Sequence, residues 1–207
     1  MPSEQSSFHA QTDHLCRAFV MASLDKDDQI RFVDHLKSTA SCPTTFPDQD
    51  ELVCCLLSLA KEFDRRFLQF PAFTQLVDKW GSEQLCSTAA LSSDYSRVLR
   101  QMFDTINWGR IVAMFSFLRM LIKQLSEQQR FDAADPLVRM TVSFCTEQLR
   151  PWILVHGGWP GLLDFFHRRS TESSFSLLDC VKHLTLSKTV GALGLMALVG
   201  LLIVRNC

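Results

Sequence analysis

The sequence predicts an all-α protein, a helical bundle packed around a central apolar helical hairpin, with one further apolar helix at its C-terminal end. Three observations predict it. Apolar residues recur at helical spacing, and no long alternating β-branched run occurs anywhere. Trp108 to Leu125 is apolar on nearly every side for more than four turns. Thr189 to Val204 holds sixteen residues without a charge.

The first helical stretch runs from near His14 to Leu24 and is interrupted by Cys16 and Arg17. Ser38 to Asp50, with Pro43, Pro47 and many small polar residues, predicts a loop. Leu52, Leu56, Leu59 and Phe63 fall at i, i+4, i+7 and i+11, one stripe on a helix from about Gln49 to Phe70 that Pro71 stops. A short helix around Phe73 to Trp80 ends at Gly81, and Asp94 to Phe103 forms another with Val98, Leu99 and Met102 on one side.

Trp108 to Leu125 follows Asn107, a good N-cap, and its all-round apolar character marks it as the helix that others surround. Asp135 and Pro136 supply an N-cap and a first-turn proline for the next helix, which runs to Arg150 and is stopped by Pro151. The two make the antiparallel hairpin at the centre of the bundle.

The polar stretch Arg168 to Ser176 reads as a linker, and Leu177 to Leu186 as a further short helix. Thr189 to Val204 spans about 24 Å as a helix, short of the roughly 30 Å of an average hydrocarbon core, with Lys188 and Arg205 placed to snorkel at its ends. A tail anchor over 188–205 is expected, in a thinner intracellular membrane. The organisation is then a helical domain over 1–169 with a loop at 38–50, a linker or short helix over 170–187, and the anchor.

Composition narrows the function. At 207 residues, 47% hydrophobic and 21% charged, the chain suits one domain and a short appendage. A formal net charge of −1 gives no footprint for nucleic acid, so proteins are the expected partners. Cys16, Cys42, Cys54, Cys55, Cys86, Cys145, Cys180 and Cys207 include no pair at the gap used by zinc ribbons and redox centres. Met1 to Ser7 is polar, so no signal peptide is expected, and the setting is a reducing one.

No catalytic arrangement emerges. The six histidines, His9, His14, His35, His156, His167 and His183, are scattered, and no HExxH, GxSxG or glycine-rich phosphate loop occurs. His156 and His167 read as turn or surface residues, and Cys54 and Cys55 as small core or boundary residues. Neither metal nor cofactor is expected, and the chain reads as a binding protein rather than an enzyme.

Asn107, Trp108, Gly109 and Arg110 stand apart: a cap, a large aromatic, a residue without a side chain and a fixed cation at the mouth of an apolar helix. Gly109 in a first helical turn costs stability, tolerable where something approaches the backbone. Arg110 is expensive to leave unpaired, and its planar fork suits a carboxylate, either from outside or from this chain.

The string NWGRIVAMFSF, Asn107 to Phe117, resembles the first homology motif of the Bcl-2 family of apoptosis regulators. Pro151 to Phe166 resembles the second, through Trp152, Gly157, Gly158 and Trp159. Leu52 to Phe63 is similar in spacing to the third, and Leu15 to Leu24 to the weak fourth.

The resemblance implies a bundle of about eight helices with a hydrophobic groove for the amphipathic helix of a death-promoting member of the family, giving a possible heterodimer. Four apolar residues of that helix fill pockets, and its aspartate pairs with the motif arginine, here Arg110. By position in the motifs the groove walls are Phe63 and Phe67 on one side and Val98 and Met102 on the other, with Val112, Ala113 and Phe117 below. The tail anchor then implies the outer mitochondrial or endoplasmic reticulum membrane, with the bundle facing the cytosol.

One departure tilts the reading. Where the third motif of the family carries aspartate after a small residue, this chain has Lys61 after Ala60. A helix with lysine there sets cation against cation when offered to another member's arginine. A pro-survival member is therefore expected, and a membrane-permeabilising effector is the alternative, toward which Pro160 to Leu163 has some likeness.

Overall fold

The computed structural model describes residues 2–36, 48–67 and 88–171, and the regular structure among them is helical throughout. The helices are α1 (Pro2–Ser23), α2 (Lys26–Phe32), α3 (Gln49–Phe67), α4 (Thr88–Met102), α5 (Trp108–Glu127), α6 (Ala134–Phe144), α7 (Arg150–Val155) and α8 (Pro160–Thr171). A 3-10 turn, Phe131–Ala133, precedes α6, and a π turn, Cys145–Leu149, joins α6 to α7.

α5 is central, as its composition predicts. Of its residues only Arg119, Lys123, Gln124 and Glu127 are not buried, and α1, α3, α4 and α6 all pack against it. Phe19 of α1 meets Phe115 edge-on, with ring centroids 5.3 Å apart. The chain reverses after Gln128, and α6 packs back on α5 as the second arm of the hairpin. α3 lies between α1 and α5 with Leu52, Leu56 and Leu59 buried, and α8 covers α3 from the other end of the chain.

Several elements depart from the sequence reading. α1 is not interrupted at Cys16 and Arg17 but runs without a break from Pro2. Arg17 is tolerated inside because its charge is matched: Nε donates to Asp13 at 2.9 and 3.0 Å, and Nη1 donates to Asp135 at 2.8 Å and to the Leu36 carbonyl at 3.1 Å. Asp135 consequently is not the N-cap of α6. The helix starts at Ala134, two residues ahead of Pro136 and straight out of the 3-10 turn, and Asp135 directs its oxygens at Arg17 and Arg139.

Pro151 does not stop the helical path. The preceding π turn widens the backbone, and the proline falls in the first turn of α7, where its missing N–H needs no acceptor. α4 begins at Thr88, ahead of Asp94, and Arg168 to Thr171 belong to α8 rather than to a linker. Gln49 and Asp50 are already helical.

The predicted helix at Phe73 to Trp80, most of the 38–50 loop, the 172–187 segment and the 188–205 anchor lie outside the described residues. Among the described residues no helix is long and apolar enough to cross a membrane.

Candidate functional site

The mouth of α5 is built by its cap. Asn107 is extended, at φ −156° and ψ 164°, and its side-chain oxygen accepts the backbone N–H of Arg110 at 2.9 Å. Trp108, the next residue, is buried edge-on against Trp152, centroids 5.2 Å apart, and near Trp159 at 6.4 Å. The two expected motifs therefore meet through their tryptophans.

The second motif is held by backbone geometry. Gly157 and Gly158 adopt φ +89° and +67°, the left-handed region that favours glycine, and this turn swings Trp159 into the core. Trp159 stacks on Phe8 and meets Phe115 edge-on, while its indole N–H donates to Thr12 Oγ1 at 3.0 Å. The Thr12 hydroxyl in turn donates to the Phe8 carbonyl at 2.8 Å. Gly161 is a further requirement that sequence reasoning missed, since a Cβ there would overlap the His156 carbonyl oxygen.

Arg110 is only 4% exposed, and burial lowers its pKa from the ordinary arginine value. Its Nη1 donates to the carbonyl of Met102, at the end of α4, at 2.8 Å and ion-pairs with the carboxylate of Asp104. Its Nε is buried without an acceptor. Of the two origins open for its acid, the one found here is internal. Yet Asp104 itself stands largely in solvent, with its side chain 64% exposed on the short connection between α4 and α5.

A second buried charge group joins α3 to α5. Asp64 is buried on α3, accepts the Ser116 hydroxyl and ion-pairs with Arg119, whose pKa burial also lowers. Sequence reading missed this group. The signal was available: Val53, Ala60 and Asp64 share one face of α3 beside the leucine stripe, so an acid there points inward.

The remaining candidate residues divide by position. Phe63 is half-buried and packs against the core, and Phe67 closes α3, its side chain outside the described residues. Val98 and Met102 on α4, with Gly109, Val112, Ala113 and Phe117 on α5, are all buried. Phe117 stacks on Tyr95 at 5.9 Å, and Tyr95 shares a hydrogen bond with Thr141 of α6 at 2.7 Å, so Phe117 belongs to the bundle core. The Met102 carbonyl accepts a hydrogen bond from Arg110. His156 lies in a turn, stacked on Trp152, and His167 is exposed. Cys54 is exposed and Cys55 buried.

A family model described as apoptosis regulator proteins, Bcl-2 family, matches residues 56–159. Apoptosis regulator R11 of Xenopus laevis is 30% identical over 127 residues, 61% of this chain and 59% of that protein. Bcl-2-like protein 1 of Gallus gallus is 29% identical over 106 residues, 51% of this chain and 44% of that protein. The chain thus spans about half the length of the curated relatives it matches. A schistosome BCL-2 solved bound to ABT-737 superposes with a TM-score of 0.63 at 36% identity, covering 77% of this chain and 98% of that one.

Proposed function

The chain belongs to the Bcl-2 family of apoptosis regulators, and from that membership we propose that it is a pro-survival member that sequesters the amphipathic death-motif helices of pro-apoptotic relatives. The observation that carries the reading is Arg110: a buried guanidinium at the mouth of the apolar central helix, with a solvent-exposed acid as its ion-pair partner. A ligand aspartate supplies the same chemistry, and the charged pair sets the register of the helix while apolar side chains supply the area. The schistosome relative, solved with ABT-737 bound, supports a ligand-accepting surface on this fold.

Receiving the helix requires Val98, Met102, Val112 and Ala113 to be uncovered, since each is buried in the free chain.

Lys61 supports the pro-survival sign. It is exposed on α3 next to buried Ala60, so a released α3 offers a cation where another member's arginine needs an acid. Asp64, held by Ser116 and Arg119, opposes that release. The 188–205 tail anchors the bundle to the outer mitochondrial or endoplasmic reticulum membrane, facing the cytosol.

Expression in cells given a death stimulus tests the sign. Survival is expected to rise with the full chain and to return to control with Arg110→Ala. Accelerated death, with dye release from liposomes by the purified chain, overturns the pro-survival reading in favour of a membrane-permeabilising effector.

A further inference from the structure

Arg110 enters the fold already neutralised, and the way it is neutralised bears on how the proposed groove discriminates. The guanidinium is almost wholly enclosed, while Asp104 on the same ion pair is 64% exposed. The carboxylate of Asp104 therefore joins the enclosed guanidinium to the solvent-facing surface. Nε is buried and has no acceptor among the described residues, so it is not the donor an outside acid would meet first.

The connection that carries Asp104 favours this arrangement. Asp104 lies two residues after Met102, whose carbonyl accepts from the same Nη1, and its Oδ1 also accepts the backbone N–H of Thr105 at 2.8 Å. The carboxylate is thus aimed by a local turn and lies six positions before Arg110. So short a tether holds it near the guanidinium at an effective concentration on the order of millimolar or above. An external acid competes against that concentration rather than against water.

We propose that Asp104 is a built-in competitor for the acid of an incoming helix, and that a ligand aspartate must displace it to reach Arg110. This rests on the reading of Arg110 given above. The gain from a ligand aspartate is the difference between two ion pairs, so the free chain discounts acid-bearing helices relative to what the bare arginine offers. Apolar fit then decides among ligands more than charge does.

The test measures binding of one synthetic amphipathic peptide to the full chain in detergent. The peptide carries four apolar residues at i, i+4, i+7 and i+11 and a single aspartate, and a second peptide has asparagine in its place. Asp104→Ala removes the competitor; Asp104→Asn removes its charge while keeping an acceptor for Thr105, which guards against loss of the turn. Both variants are expected to bind the aspartate peptide about fivefold tighter than the unchanged chain, with the asparagine peptide unaffected.

Unchanged or weaker binding of the aspartate peptide, or equal tightening of both peptides, overturns the competitor role while leaving the groove reading intact. Failure of all three proteins to bind either peptide overturns the groove reading itself, and the competitor with it.

Discussion

The indole N–H of Trp159 donates to Thr12 Oγ1 at 3.0 Å, joining residues 147 apart in the chain. Both side chains are fully buried, so the bond fastens α1 to the turn that precedes α8 across the face of α5. Thr12→Val keeps the shape and leaves the indole N–H without an acceptor. The expected loss is about 1 to 3 kcal/mol of unfolding free energy, read by urea denaturation, whereas Trp159→Ala should cost about 3 to 5 kcal/mol.

Asp64 and Arg119 make a sharper case, because truncating one partner leaves the other charged at the α3–α5 contact. Asp64→Ala should destabilise by about 2 to 4 kcal/mol, the lower part of the range for a broken buried pair because Arg119 is half-buried. The double change Asp64→Leu with Arg119→Met should recover most of the loss that Asp64→Leu alone produces, with Arg119→Met completing the set. A double-mutant cycle measures it, and additive losses would show that the pair does not hold α3 to α5.

Gly161→Ala isolates backbone proximity from helix propensity. Alanine is the better helix former by about 1 kcal/mol, yet its Cβ would overlap the His156 carbonyl, which is backbone and cannot swing aside. A net destabilisation of about 1 to 3 kcal/mol is expected, visible as a lowered thermal midpoint. A raised midpoint would mean that the α7–α8 turn relaxes freely.

The described cysteines should differ in reactivity. Burial pushes the Cys55 thiol up to about 12 and raises those of Cys16 and Cys145 as well, while Cys54 is exposed on α3. Alkylation followed by peptide mapping should mark Cys54 in the native chain and reach Cys16, Cys55 and Cys145 only on unfolding. The folded chain keeps these protons when the unfolded chain has released them, so stability should also fall as pH climbs above about 9. Equal labelling of all four in the native state would contradict the packing.

What the sequence made legible follows from how local each feature is. The all-round apolar run of α5, its cap at Asn107 and the glycines of the second motif depend on residues within one or two turns, and the structure has them. Arg17 was legible only as an interruption, because the acids that satisfy it come from its own helix and from Asp135, 118 positions away. The same pairing removed Asp135 from its expected role as a cap. Pro151 reads as a stop because periodicity assumes one helical pitch, and the π turn changes it. Arg110 reads as a cation in need of an acid, but its partner Asp104 sits on a connection whose path no spacing rule fixes. The ion pair of Asp64 with Arg119 needed the register between two helices that are far apart in sequence.

The most direct measurement is a calorimetric titration of the full chain, and of its Arg110→Ala variant, with an amphipathic helix bearing four spaced apolar residues and one aspartate. A Kd well below about 10 μM is expected for the unchanged chain, weakened about fivefold by Arg110→Ala, with circular dichroism used to establish that the variant, which loses the Met102 and Asp104 contacts, is still folded at the titration temperature. Equal affinity for the two proteins, or no binding better than about 10 μM by the unchanged chain, would contradict it.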